Sequence, residues 1–122
     1  MAYAKLKTAT AVYDFTTMGG TVGAIGLGVY IPSGAIIVRA IGQTITSMTS
    51  GGSATVAIAA GATAILGTTA FNASAVTGID ILNAFGTPLA VASNGEVTWT
   101  IATAALTAGK YAIYIDYLTP TV

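Results

Sequence analysis

Between Arg39 and Asp80 the chain runs through forty residues without one charged side chain. An uncharged segment of that length crosses a membrane, lies inside a core or lies against another protein. The residues argue against the first. A spanning helix needs about 20 predominantly apolar residues in succession, whereas this stretch is broken by runs such as Thr44-Ile45-Thr46-Ser47-Met48-Thr49-Ser50-Gly51-Gly52. A membrane β-barrel needs more strands and clearer aromatic girdles than 122 residues supply. What fits is a series of short β-strands separated by turns.

The remaining sequence carries the same pattern. Twenty threonines, many beside Val or Ile, suit a pleated surface. A first strand is expected over Thr8 to Thr16, ending in the turn Met18-Gly19-Gly20. The next runs from Val22 to Ile31, with Ile25, Leu27, Val29 and Ile31 on one face and Ala24, Gly26, Gly28 and Tyr30 on the other. Glycines on one strand face predict close approach by a backbone or a large side chain. Pro32-Ser33-Gly34 is a turn. A long strand, Ala35 to Thr46, follows; its Ile36-Ile37-Val38 run is apolar on both sides, as in a central sandwich strand. Ser50-Gly51-Gly52-Ser53 turns the chain into Ala54 to Ala60, where Val56 and Ile58 alternate with Thr55, Ala57 and Ala59.

Residues 61–87 give the weakest pattern, with Phe71 and Phe85 as expected anchors and a short helical turn near Ala70 to Val76. Pro88 to Ala92 and Glu96 to Ala102 read as a hairpin about Ser93-Asn94-Gly95, because Asn-Gly is a strong short turn signal. In the second arm Val97, Trp99 and Ile101 face the core. Tyr111 to Leu118 places Tyr111, Ile113, Ile115 and Tyr117 opposite Ala112, Tyr114 and Asp116. Seven to eight antiparallel strands at this spacing predict an all-β sandwich, jelly-roll-like. The strand order does not follow from the pattern. The chain divides into an N-terminal arm, residues 1–7, and a single β-sandwich domain, residues 8–122.

Charge is scarce throughout, at 7% of residues against about 25% in an ordinary soluble domain. The set is Lys5, Lys7, Arg39, Lys110, Asp14, Asp80, Glu96 and Asp116, with a formal net charge of zero. Such a surface is a solubility hazard for a free monomer and is tolerated when an assembly covers it. No secretory signal is evident and cysteine is absent, which favours a protein made and assembled in the cytoplasm.

Chemistry finds little to work with. Histidine and cysteine are both missing, and with them the commonest general base, the thiolate nucleophile and the usual zinc ligands. The six serines lie in or near turns, where local hydrogen bonding is their ordinary role. Asp14 and Asp116 become neighbours if the terminal strands pair, yet they read better as solvated strand residues or as partners of Lys7 and Lys110. Gly23 to Gly28 does not match a phosphate-binding loop and no lysine follows it. Four scattered basic residues make no nucleic-acid footprint. No enzyme, cofactor or metal is expected. Tyr114 has the parity opposite to the core-facing tyrosines of its strand and is the candidate interface aromatic.

Three stretches carry a family likeness: Gly26-Leu-Gly-Val-Tyr-Ile-Pro-Ser-Gly-Ala-Ile-Ile-Val, Thr49-Ser-Gly-Gly-Ser-Ala-Thr-Val-Ala-Ile, and Ala105-Leu-Thr-Ala-Gly-Lys-Tyr-Ala-Ile-Tyr-Ile-Asp-Tyr. In them the chain resembles the capsid decoration, cement or head-auxiliary proteins of tailed bacteriophages. The resemblance implies a structural virion protein that decorates and stabilises a phage capsid from its exterior, assembled in the host cytoplasm. Its partners would be copies of itself, with a trimer expected, and the major capsid protein, without nucleic acid or membrane. Interface candidates are Tyr3, Lys5 and Lys7 in the arm, a plausible tether, and Tyr114. Two rival readings fit the low charge: a self-polymerising β-filament or sheath subunit, and a carbohydrate-binding or adhesin module.

Overall fold

The computed structural model describes residues 3–73, 76–83, 89–91 and 95–121, with the side chains of 3–5, 83, 120 and 121 left aside. In chain order the elements are β1 (Tyr3–Asp14), α1 (Phe15–Met18), β2 (Gly23–Ile31), β3 (Ile36–Ser50), β4 (Thr55–Ala60), β5 (Thr63–Ala70), β6 (Ile79–Asn83), β7 (Leu89–Ala90), β8 (Gly95–Ala102) and β9 (Leu106–Thr121). They form two antiparallel sheets, the all-β sandwich expected, with nine strands among the described residues rather than seven or eight. The first sheet runs β1-β9-β3-β6 with β7 on β3, and the second runs β2-β8-β4-β5. The ladders nest, β1 with β9, β2 with β8, β3 with β6 and β4 with β5. Chain neighbours such as β1 and β2, or β8 and β9, therefore lie in opposite sheets. Among the described residues no helix is long and apolar enough to cross a membrane.

Alternation sets the two faces of each strand. In β8, Val97, Trp99 and Ile101 are fully buried while the residues between them are half-exposed. In β2 the odd-numbered residues turn inward and the even-numbered ones outward, as the sequence predicts. Glycine at 26 answers to a large side chain: a Cβ there would meet the Glu96 carboxylate, with its Oε1 at 2.7 Å. That carboxylate also accepts the Gly28 N–H at 3.1 Å, where Gly28 sits at φ +76 in a register shift of the ladder.

β1 starts at Tyr3, so residues 3–7 continue the ladder opposite Tyr117 to Thr121 instead of preceding the first strand. It stops at Asp14, two residues short of the expected end. There the carboxylate accepts the Thr16 N–H at 3.0 Å and caps the single turn of α1, an arrangement that competes with continuing the ladder.

The expected 88–102 hairpin does not form. β7 pairs with β3 in the first sheet, and β8 lies between β2 and β4 in the second. Val91 is held by the preceding turn, donating to Ala35 O at 2.9 Å and accepting from Gly34 N at 2.8 Å. Its turn residues Ser93 and Asn94 lie outside the described residues, as does the expected anchor Phe85. Phe71 does pack against the core. Near Ala70 to Val76 there are two successive turns, closed by Ala73 N to Ala70 O and Val76 N to Ala73 O, both 3.0 Å. The weakly patterned segment also holds two strands, β5 and β6, that the sequence reading left unassigned.

The sheets are joined across the core by Trp99 of β8, which stacks on Tyr13 of β1 at 4.7 Å and 8° and leans on Tyr111 of β9 at 5.3 Å and 40°. All three rings are fully buried. Burial, with Asp80 adding to it, pushes the Tyr111 phenol up to about 12. The ring has room because residue 42, diagonal to it on β3 in the row of Ile113, is glycine. Gly42→Ala is therefore expected to cost about 1–3 kcal/mol, the range for overpacking a tight core, since the new Cβ meets Tyr111 Cε1 at 2.8 Å and its hydroxyl closer still. Urea denaturation should show a smaller penalty in a Tyr111→Phe background; an equal penalty in both would mean that the hydroxyl does not set it.

Candidate interaction surface

The first sheet has a second face, turned away from the core, and its cross-strand rows follow from the ladder register. One row is Leu6, Leu118, Ile36 and Ala90; the next is Thr8, Asp116 and Arg39. Then come Thr10, Tyr114, Ile41 and Ile81, and after them Val12, Ala112, Gln43 and Ile79. Asp14, Lys110 and Thr46 close the series. Three of these five rows are mainly apolar. Four of their large aliphatic side chains stand in solvent: Ile79 is 74% exposed, Leu6 63%, Ile81 60% and Ile36 37%, with Ile45 at 53% on the next bulge of β3; Tyr114, Leu118 and Ile41 are half-buried.

Such a face departs from the usual antiparallel sheet, which buries one side and wets the other with polar residues. The second sheet follows the usual plan. Its outward rows, Ala24-Thr100-Ala57 and Gly26-Thr98-Ala59-Ala64, carry small side chains and hydroxyls. Tyr30, 59% exposed, is its one large outward aromatic among the described residues.

Five polar groups on the first sheet's outer face, Thr8, Arg39, Asp116, Tyr114 and Gln43, bond one another. Asp116 Oδ1 accepts the Thr8 hydroxyl at 2.7 Å, and Oδ2 accepts Arg39 Nε at 3.1 Å and Nη2 at 2.6 Å. The Thr8 hydroxyl, with the Arg39 guanidinium behind it, holds the Asp116 carboxyl below its ordinary value of 3.8. Tyr114 donates its hydroxyl to Gln43 Oε1 at 3.2 Å. At the end of the face Asp14 lies 3.9 Å from Lys110.

The terminal strands do pair, but in a register that sets Asp14 opposite Lys110 and Asp116 opposite Thr8. The two carboxylates are thus separated along the sheet, and Asp116 takes Arg39 as its partner, not Lys7. The interface candidates also separate. Tyr114 lies half-buried in the centre of the outer face. Lys7 is exposed in the row of Tyr117, which has the opposite parity. Tyr3 and Lys5 are placed by register alone, opposite Thr121 and Thr119. Sequence reasoning missed Ile79, Ile81, Leu6 and Ile36, the residues that make the patch.

Because the folded state holds Asp116 ionised, its contribution is present above the unfolded carboxylate value and is lost as pH falls through the lower folded one. Thermal unfolding from neutral pH down to about pH 2 should show an Asp116→Asn gap that is widest near neutrality and closes in acid. A gap independent of pH would show that the charge is not the source of the effect.

No family model matches the sequence, and no curated protein matches it. Solved structures do. A chain in the acidic-stable capsid structure of Helicobacter pylori bacteriophage KHP30 superposes with a TM-score of 0.65 at 16% identity, covering 100% of this chain and 99% of that one. A chain in the capsid asymmetric unit of cyanophage Pam1 gives 0.59 at 14% identity, over 96% and 85% of the two chains. At the level of the fold, the expected likeness to phage capsid components is met.

Proposed function

We propose that this protein is a structural component of a phage capsid, bound on the shell exterior as a symmetric oligomer and stabilising it, without catalytic activity. The observation that carries this reading is the end-to-end fold match to a chain of a phage capsid structure. The match runs over 100% of this chain and 99% of that one, so the likeness extends through the whole fold of both. The low charge and the uncovered apolar sheet face agree with it, because both are liabilities in a free monomer and neither is in a protein contact.

The mechanism is mechanical. Each copy makes modest contacts with the shell, and icosahedral repetition with symmetric linkage multiplies them into avidity. The two-sheet sandwich supplies the body of such a protein, and a chain without cysteine suits assembly in a reducing host cytoplasm.

Co-expression with the major capsid protein of the same genome tests the reading. The chain should sediment with assembled shells at a fixed copy ratio, and shells carrying it should resist heat or acid better than bare ones. Shells that form normally and exclude the chain would overturn the proposal.

A further inference from the structure

We infer that the outer face of the first sheet, the face bearing Leu6, Ile36, Tyr114, Ile79 and Ile81, is buried between copies of this chain. This deepens the capsid reading, on which it rests for the expectation that copies assemble at all. Three observations select a second copy as the occupant.

The first is size. β1, β9 and β3 run for 12, 16 and 15 residues. At about 3.4 Å per residue and 4.8 Å between strands they make a projected face of roughly 700 Å², before β6 and β7 extend it. Accessible surface exceeds its projection, so the face approaches the roughly 800 Å² that each partner buries in a standard interface.

The second is charge. The central Arg39–Asp116 pair brings one cation and one anion to the face, and the whole chain is formally neutral. A strongly charged partner would find no opposite field here, whereas a copy meets a patch of the same balanced charge without repulsion.

The third is hydrogen bonding. Thr8, Asp116 and Arg39 are bonded within the chain, and so are Tyr114 and Gln43. Polar groups that already bond one another leave fewer open donors and acceptors for a partner to match, although covering the Arg39–Asp116 pair still costs desolvation. A surface of this same kind is what another copy presents.

Sedimentation or mass photometry of the purified full chain reads the outcome directly against the 12.1 kDa monomer. The wild type should form a discrete oligomer at micromolar concentration. Ile79→Lys and Ile81→Lys together should raise the dissociation constant at least about 30-fold, the loss expected of a hot-spot contact, with circular dichroism and the melting curve unchanged. Tyr30→Lys, on the outer face of the second sheet, should leave association intact. A wild type that stays monomeric at high concentration overturns the inference. So does an oligomer indifferent to the two lysines, or one lost only with Tyr30→Lys. The same variants on shells separate this inference from the capsid reading. Wild type absent from shells but assembling through this face sinks only the capsid role. Wild type present on shells, with lysine variants still oligomeric, sinks only the face.

Discussion

The rest of the molecule is organised around the stack of Trp99 between Tyr13 and Tyr111. The tryptophan comes from the second sheet and both tyrosines from the first, so the contact spans the interior and fixes how the sheets face each other. Aromatic pairs of this kind are worth about 0.5–1.5 kcal/mol beyond the area they bury. They also demand space, and two backbone features provide it. Gly42 leaves β3 without a side chain where the Tyr111 ring lies. Tyr13 donates its hydroxyl to Gly19 O at 2.7 Å, which ties the end of β1 to the turn that leads the chain into the other sheet. A slip of one residue in β1 or β9 would send a tyrosine to the wrong face.

This constraint explains what the sequence reading could and could not recover. β2, β8 and β9 were legible because each carries bulky apolar residues at strict alternation, and the inward set found in the structure is the one alternation predicts. Residues 63–83 were not, because Ala, Gly and Thr are compatible with either face and leave nothing to alternate. The hairpin about Ser93-Asn94-Gly95 failed for another reason. A turn signal is local, and it cannot report which sheet each arm joins; the hydrogen bonds between Val91 and the Gly34–Ala35 turn decide that from 56 and 57 residues away in the chain. Strand order in a nested sandwich is set by such long-range pairings.

The apolar patch was missed through a reversal of the ordinary rule. The sequence pattern assigns no strand here; by residue type alone, a strand through Ile79-Asp80-Ile81 would turn its isoleucines inward and its aspartate to water. Paired to β3, it has Asp80 in the row of Gly42 and Ile113, on the core parity at the sheet edge, where it acts electrostatically on Tyr111. The isoleucines face out. Only the register reveals this, since the residue types alone favour the opposite assignment. Tyr114 was recoverable because its own strand supplies the contrast: Ile113 and Ile115 are fully buried on either side of it.

A sheet that is apolar on both faces belongs in the middle of three layers, with something packed on each side. Here the second sheet supplies one neighbour and the described chain supplies nothing for the other. The contrast between the two sheets makes the point sharper than composition could. Both are four strands wide along their main path, both come from the same poorly charged sequence, yet two outward rows of one hold only alanine, glycine and threonine while three of the other's five carry isoleucine or leucine. General hydrophobicity would have coloured both alike. Confining the exposed large aliphatic groups of the sheets to one outer face, with the bonded Thr8-Asp116-Arg39 row between them, gives the molecule a sidedness.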